Sequence, residues 1–237
     1  MTLLLDVRQA LVAAADPARA PAMQRYMKST MPYHGVAAPL LRRIARELLV
    51  TVQLPNEAAY RAAVLELWRG ATHREERYVA VVLARHRNGG KRFAAPTLVE
   101  SLYEELIVTG AWWDLVDELA AHVIGDLVRR FPDEVKPKMR AWSRDPDLWK
   151  RRTSILCQIR SKKEMDVALL HECIEGSIGD KNFFARKAIG WALREHARFD
   201  ADGVIAYVRA NATRLAPLSK REALKAQLRD GTLTVVP

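Results

Sequence analysis

Two adjacent tryptophans and two aspartates stand together mid-chain, in Gly110-Ala111-Trp112-Trp113-Asp114-Leu115-Val116-Asp117. Residues three and four apart share a face of a helix. Trp113 and Asp117 therefore lie side by side, an indole beside a carboxylate. Trp112, Leu115, Val116 and Leu119 share the neighbouring face. On this reading Trp113 and Asp117 face a ligand and the other set faces the core. The same spacing also suits an amphipathic helix that sets a solvated carboxylate beside a core tryptophan. The chemistry such a pair offers is for cations. An indole face attracts positive charge by about 0.5–2 kcal/mol, and an anion stabilises positive charge that develops in a transition state. Asp114 lies about 100° round the helix from Trp113 and so on another face. In the first turn its charge favours the helix dipole, a structural role.

The elements that position this pair read as helices almost throughout. Pro and Gly fall at segment ends, and no run alternates with period two. Residues 3–15 form a short apolar helix, and Asp16-Pro17 caps and opens one reaching about Lys28. Residues 31–35 are a loop, and a helix with Arg42, Arg43 and Arg46 follows from about Pro39 to Thr51. Asn56 caps a helix that stops at Gly70, and Thr72 with Glu75 makes a capping box for the next. Pro96, Pro132 and Pro146 open further helices, and the tryptophan helix runs to about Arg130. Others cover roughly 164–178, 182–198, 201–212 and 218–229, about a dozen in all.

These helices pair, and the pairs repeat. Arg77-Tyr78, Trp112-Trp113, Leu148-Trp149 and Phe183-Phe184 recur about every 35 or 36 residues, with Arg152 three after Trp149 and Lys187 three after Phe184. A helix-pair repeat of this kind is the mark of an α-solenoid, in which each pair buries its apolar face on its neighbours. The expected fold is therefore a single all-α domain over 1–237, HEAT-like, with a concave basic groove. Equivalent helices would line it with Trp113 and Asp117, then Arg151 and Arg152, then Lys187, Trp191 and Arg194. Trp191, in an apolar run, also reads as a core residue.

Composition narrows the partners. The net charge is +10 with a pI of about 9.9. Residues 1–70 carry +4, 71–140 carry 0 and 141–237 carry +6. Positive flanks around a neutral, tryptophan-bearing middle suit a polyanion, most simply nucleic acid. No run approaches the ~20 apolar residues of a membrane span, and the N-terminus has no signal-peptide pattern. Cys157 and Cys173 read as buried free thiols of a reducing compartment, and with six scattered histidines they make no metal-ligand spacing. The expectations are a cytoplasmic monomer, nucleoid-associated while it works, without metal or cofactor.

Several stretches in order resemble the AlkD-type DNA glycosylases, the DNA alkylation repair family. They are Arg25-Tyr26-Met27-Lys28; Glu105-Leu106-Ile107-Val108-Thr109 leading into the tryptophan motif; Phe183-Phe184 with Lys187 to Glu195; and Leu215 to Ala223, with Lys220 and Arg221. The resemblance spans about residues 20–228. It implies a HEAT-like solenoid that removes alkylated purines from double-stranded DNA. Asp117 would be the catalytic carboxylate, with Trp113 and Trp191 beside the lesion. Arg152 would hold the DNA backbone near the lesion, and Tyr26 would lie near the DNA. Lys28, Lys150, Arg151, Lys187, Arg194, Lys220 and Arg221 would meet phosphates. Around Arg152, Lys150 and Arg151 make this chain more basic than the family pattern, and the loop 32–35 also departs from it.

The residues suit that reaction. A purine alkylated at N3 or N7 is cationic and leaves as a neutral base, so no general acid is needed. The oxocarbenium ion that forms needs one anion, where most glycoside hydrolases need two carboxyl groups. No lysine lies in the tryptophan helix, so hydrolysis to an abasic site is expected rather than a lyase step. Two other readings remain for such a chain: a non-catalytic solenoid that recognises distorted or alkylated duplex, and a protein-interaction scaffold, a common use of helical repeats.

Overall fold

Short polar side chains and prolines set most helix starts. The computed structural model describes residues 2–237, and among these there is no strand. The chain divides into two compact units, residues 1–94 and 95–237.

The first unit holds α1 (Leu3–Ala13), α2 (Ala20–Met27), α3 (Ala38–Thr51), α4 (Glu57–Arg69) and α5 (Arg74–Arg85). Asn56 caps α4, accepting from the Ala59 N–H at 2.9 Å. The Asp16-Pro17 start is displaced by a turn. Asp16 Oδ1 accepts from the backbone of Ala18 and Arg19 at 3.1 Å each, and the helix begins only at Ala20. It ends at Lys28, held in the left-handed region at φ 50°. α1, α3, α4 and α5 pack on one another around Leu11, Leu49, Tyr60, Leu67 and Leu83, all fully buried.

The expected capping box of Thr72 and Glu75 is not what forms. His73 takes the cap position of α5, and Glu76 reaches back to the Thr72 N–H at 2.7 Å. Glu75 turns away, fully buried, and accepts the backbone N–H groups of His34, Gly35 and Val36 at 3.0, 2.9 and 3.2 Å. A buried carboxylate that satisfies three loop donors outweighs one bond at a helix end.

The second unit carries two π-helical turns, Val99–Tyr103 and Leu119–Ile124, and helices α6 (Glu104–Gly110), α7 (Trp113–Glu118), α8 (Gly125–Arg130), α9 (Pro132–Trp142), α10 (Leu148–Leu156), α11 (Val167–Glu175), α12 (Phe183–Ala197), α13 (Ala201–Ala210), α14 (Pro217–Ala223) and α15 (Lys225–Arg229). The expected helix over 218–229 breaks at Leu224. α10 packs between α7 and α12, and α12 packs on α14, which makes one layer. α9 packs on α10 and α11, and α13 on α12, forming the second. This stacking of equivalent helices is that of a solenoid of helical repeats.

The aromatic repeat read in the sequence is the seam of this layer. Trp112, Trp149 and Phe184 come from three successive repeats and meet in one cluster. Their ring centroids lie 6.2 Å (Trp112–Trp149), 5.1 Å (Trp112–Phe184) and 5.2 Å (Trp149–Phe184) apart. Gly190 lets α14 approach α12. A Cβ there would fall 2.5 Å from Glu222 Cβ and 2.8 Å from the Ser219 carbonyl.

Candidate active site

The tryptophan helix sorts its side chains as its periodicity requires. Leu115, Val116 and Leu119 are fully buried, while Trp113 and Asp117 are partly exposed. Trp112 is the extended residue before the helix and turns into the aromatic cluster, where its indole N–H is buried without an acceptor.

Asp117 is gripped by Arg152, one repeat away at a separation of 35 residues. Arg152 Nε donates to Oδ1 at 2.7 Å and Nη2 to Oδ2 at 2.8 Å, while Nη1 donates to the Phe184 carbonyl at 2.6 Å. The guanidinium also lies 5.9 Å from the Phe184 ring. Arg152 is only 4% exposed, while the Asp117 side chain keeps 15% of its surface. Burial pushes the Asp117 carboxyl above its ordinary range, and the Arg152 fork opposes that rise. Arg152 was expected on the DNA backbone. In the structure its hydrogen bonds go to the carboxylate and to α12, so its geometry is that of a residue that positions Asp117.

The same repeat step continues. From Asp117 it leads to Arg152, then to Lys187, then to Glu222. Lys187 Nζ lies 2.9 Å from Glu222 Oε1, and Arg194 Nη1 2.5 Å from Oε2 of the same carboxylate. Glu222 had no place among the expected site residues. The signal that would have found it is its position one repeat beyond Lys187.

Trp191 sits on α12 between Lys187 and Arg194, half-buried at the edge of the buried Ile189, Ala192 and Leu193. Its N–H reaches Glu195 Oε1 at 3.3 Å. It is thus neither wholly core nor wholly free. Phe183, 58% exposed, packs edge-on against Phe184 at 5.4 Å.

The remaining cations fall into two groups. Lys150 is held by Glu104 and Asp145 at 2.7 and 2.6 Å. Arg151 is held by Asp180 at 2.9 Å and by the carbonyls of Asp145 and Pro146. A phosphate reaching either must displace these partners. Lys220 donates to the Ala212 carbonyl at 3.1 Å, and Arg221 is exposed. In the first unit Lys28 is exposed and Tyr26 is 75% exposed on α2. Cys157 and Cys173 are buried free thiols, as read from the sequence.

A partly exposed carboxylate, fixed by a buried arginine and one helical turn from the Trp113 indole, is an anionic site for a cationic group. Comparison with known proteins gives the family. The chain belongs to the DNA alkylation repair enzyme family, whose model matches residues 7–226. Among solved structures, a protein described as a predicted DNA alkylation repair enzyme from Enterococcus faecalis superposes with a TM-score of 0.79 at 27% identity, over 89% of this chain and 95% of that one. No curated protein matches the chain.

Proposed function

We propose that this member of the family is a monofunctional DNA glycosylase. It hydrolyses the N-glycosidic bond of 3-methyl- and 7-methylpurines in duplex DNA as a monomer and leaves an abasic site for base excision repair. The observation that carries this reading is the Asp117 carboxylate, held by Arg152 yet left partly open to solvent. An anion fixed before the reaction stabilises an oxocarbenium ion without reorganising, which is where preorganised electrostatics gain most. Asp117 also accepts a proton from the attacking water. Trp113 and Trp191 border the cationic nucleotide with indole faces, an attraction of about 0.5–2 kcal/mol each, too small to supply most of the selectivity. The charged leaving group supplies the rest. Cations including Lys28, Lys187, Arg194, Lys220 and Arg221 meet phosphates, so binding weakens with salt.

One observation favours a second reading, a binder of alkylated duplex without catalysis: both Asp117 oxygens are taken by Arg152, as in a structural ion pair. The deciding experiment is release of free base from methylated duplex by wild type, Asp117→Asn and Asp114→Asn, with binding measured in parallel. The glycosylase reading expects release by wild type, far less from Asp117→Asn at similar affinity, and more from Asp114→Asn than from Asp117→Asn. Binding without release by the wild type establishes the binder. A borohydride-trapped adduct would overturn simple hydrolysis.

A further inference from the structure

The first unit gathers a second set of chemistry-bearing side chains that the DNA reaction does not use. His34, from the loop before α3, and His73 and Glu76, at the start of α5, each present a donor atom, and these atoms lie within 4.8 Å of one another. His73 and Glu76 stand three apart at the start of α5, while His34 comes from a loop far earlier in the chain, which is why the set was not read from the sequence. We propose that His34, His73 and Glu76 form a binding site for one divalent transition-metal ion of the zinc class.

The geometry argues for an ion rather than a hydrogen bond. His34 Nε2 points at Glu76 Oε1 from 3.7 Å, too far for a hydrogen bond. Two donors on one tetrahedral zinc, at ordinary Zn–N and Zn–O lengths, are separated by roughly 3.4 Å. His34 is 8% exposed and its Nε2 has no hydrogen-bond partner, although buried polar atoms almost always find one. Glu76 is fully buried. The His34 and His73 rings stack at 3.8 Å with 15° between their planes, so their edges run side by side. His73 is half-buried, and closing the donor set on one ion requires its ring to turn out of that stack.

The surroundings are those of a ligating shell. Thr72 orients two of the three ligands: its hydroxyl lies 3.1 Å from His73 Nδ1, and its N–H donates to Glu76 Oε2 at 2.7 Å. Such outer partners fix the ring and carboxylate of a metal site. Arg8 donates to Glu76 Oε1 at 2.8 Å and to Oε2 at 3.1 Å. A cation on Oε1 must share that oxygen with Arg8, whose side chain reaches solvent and the Gly70 carbonyl. Two imidazoles and one carboxylate suit zinc, nickel or copper better than magnesium or calcium, which prefer oxygen donors. The ion would tie the loop around His34 to the start of α5, beside the three bonds that Glu75 already makes to that loop.

The test uses the untagged full chain, stripped with a chelator and dialysed. Cobalt(II) is titrated and followed by its visible absorption, then displaced with zinc, and the thermal midpoint is recorded with and without zinc. The expected result is one equivalent bound with a tetrahedral spectrum lacking thiolate charge-transfer bands, and a higher midpoint with zinc. His73→Asn, at a half-exposed position, should keep the metal-free midpoint and weaken zinc binding at least about 100-fold, the upper end of what loss of an outer-shell partner costs. His34→Gln should do the same for binding. Failure of the wild type to take up a stoichiometric ion overturns the site. Unchanged affinity in His73→Asn, or thiolate bands, assigns the ion elsewhere and also overturns it.

Discussion

Arg152 holds Asp117 from both ends of the carboxylate across one helical repeat, with its third nitrogen anchored on the Phe184 carbonyl of the next. Three successive helices, α7, α10 and α12, are thereby fixed to one another at the site. A carboxylate so held keeps one orientation, and preorganisation of this kind is what the proposed electrostatic catalysis would draw on. The arginine that fixes the anion also lowers its basicity, so the site balances two demands. Burial opposes the arginine, keeping the carboxyl above its ordinary range.

That balance sets a pH dependence. On the proposed glycosylase reading, base release uses the Asp117 carboxylate, so the rate should fall as pH drops through the carboxyl's pKa. Because that pKa is raised, the acid limb should lie above the ~3.9 of an ordinary aspartate. Arg152→Gln removes the opposing influence, so its limb should move to still higher pH and its plateau rate should fall. Single-turnover release of 7-methylguanine across acidic and neutral pH measures both, after subtraction of spontaneous depurination. A limb that stays in place in the variant would detach Arg152 from the ionisation of Asp117.

The pair also has a stability consequence. Breaking a buried ion pair from one side leaves an uncompensated charge and costs about 3–5 kcal/mol. Arg152→Met should lose about that much in urea unfolding. Adding Asp117→Asn to it should recover a large part, because no charge is then left without a partner. Additive losses would show that the two residues are energetically independent.

Much of this arrangement was legible in the sequence, because two periods write it. The helical period placed Trp113 with Asp117 and sent Leu115, Val116 and Leu119 to the core. The longer period recurs at Trp112-Trp113, Leu148-Trp149 and Phe183-Phe184, but that Trp112 rather than Trp113 joins Trp149 and Phe184 in one seam depends on packing. What the sequence did not yield is which charges pair. Lys187, Lys150 and Arg151 look alike as basic residues near aromatics, yet each has a dedicated acid whose choice depends on packing: Glu222, Glu104 with Asp145, and Asp180. Glu75 misled for a related reason. Its spacing from Thr72 fits a capping box, but a loop distant in sequence offers it three donors.

Glu222 holds two of the cations proposed to meet DNA. It holds Lys187 at 2.9 Å and Arg194 at 2.5 Å, so a phosphate must displace a carboxylate. Glu222→Gln removes that competitor. The variant should bind undamaged duplex more tightly, and its plot of log affinity against log salt should steepen by about 0.9 for each additional phosphate engaged. Fluorescence anisotropy at several salt concentrations reads both quantities. An unchanged slope would place Lys187 and Arg194 outside the DNA contact.

Gly190 tests whether the spacing of α12 and α14 matters for the same surface. Replacing a helical glycine with alanine ordinarily gains about 1 kcal/mol. Here the new methyl would stand 2.5 Å from Glu222 Cβ and 2.8 Å from the Ser219 carbonyl. Neither is the far end of a flexible side chain, so α14 itself must move. Overpacking of this kind costs about 1–3 kcal/mol, which exceeds the propensity gain. Gly190→Ala should therefore lower stability despite its better helix propensity. As Glu222 moves, its hold on Lys187 and Arg194 loosens, and undamaged-DNA affinity should shift in the direction of Glu222→Gln. Thermal unfolding and anisotropy on the same preparation check the two effects together. A stabilised variant with unaltered DNA binding would mean that the two helices separate without disturbing the charged cluster.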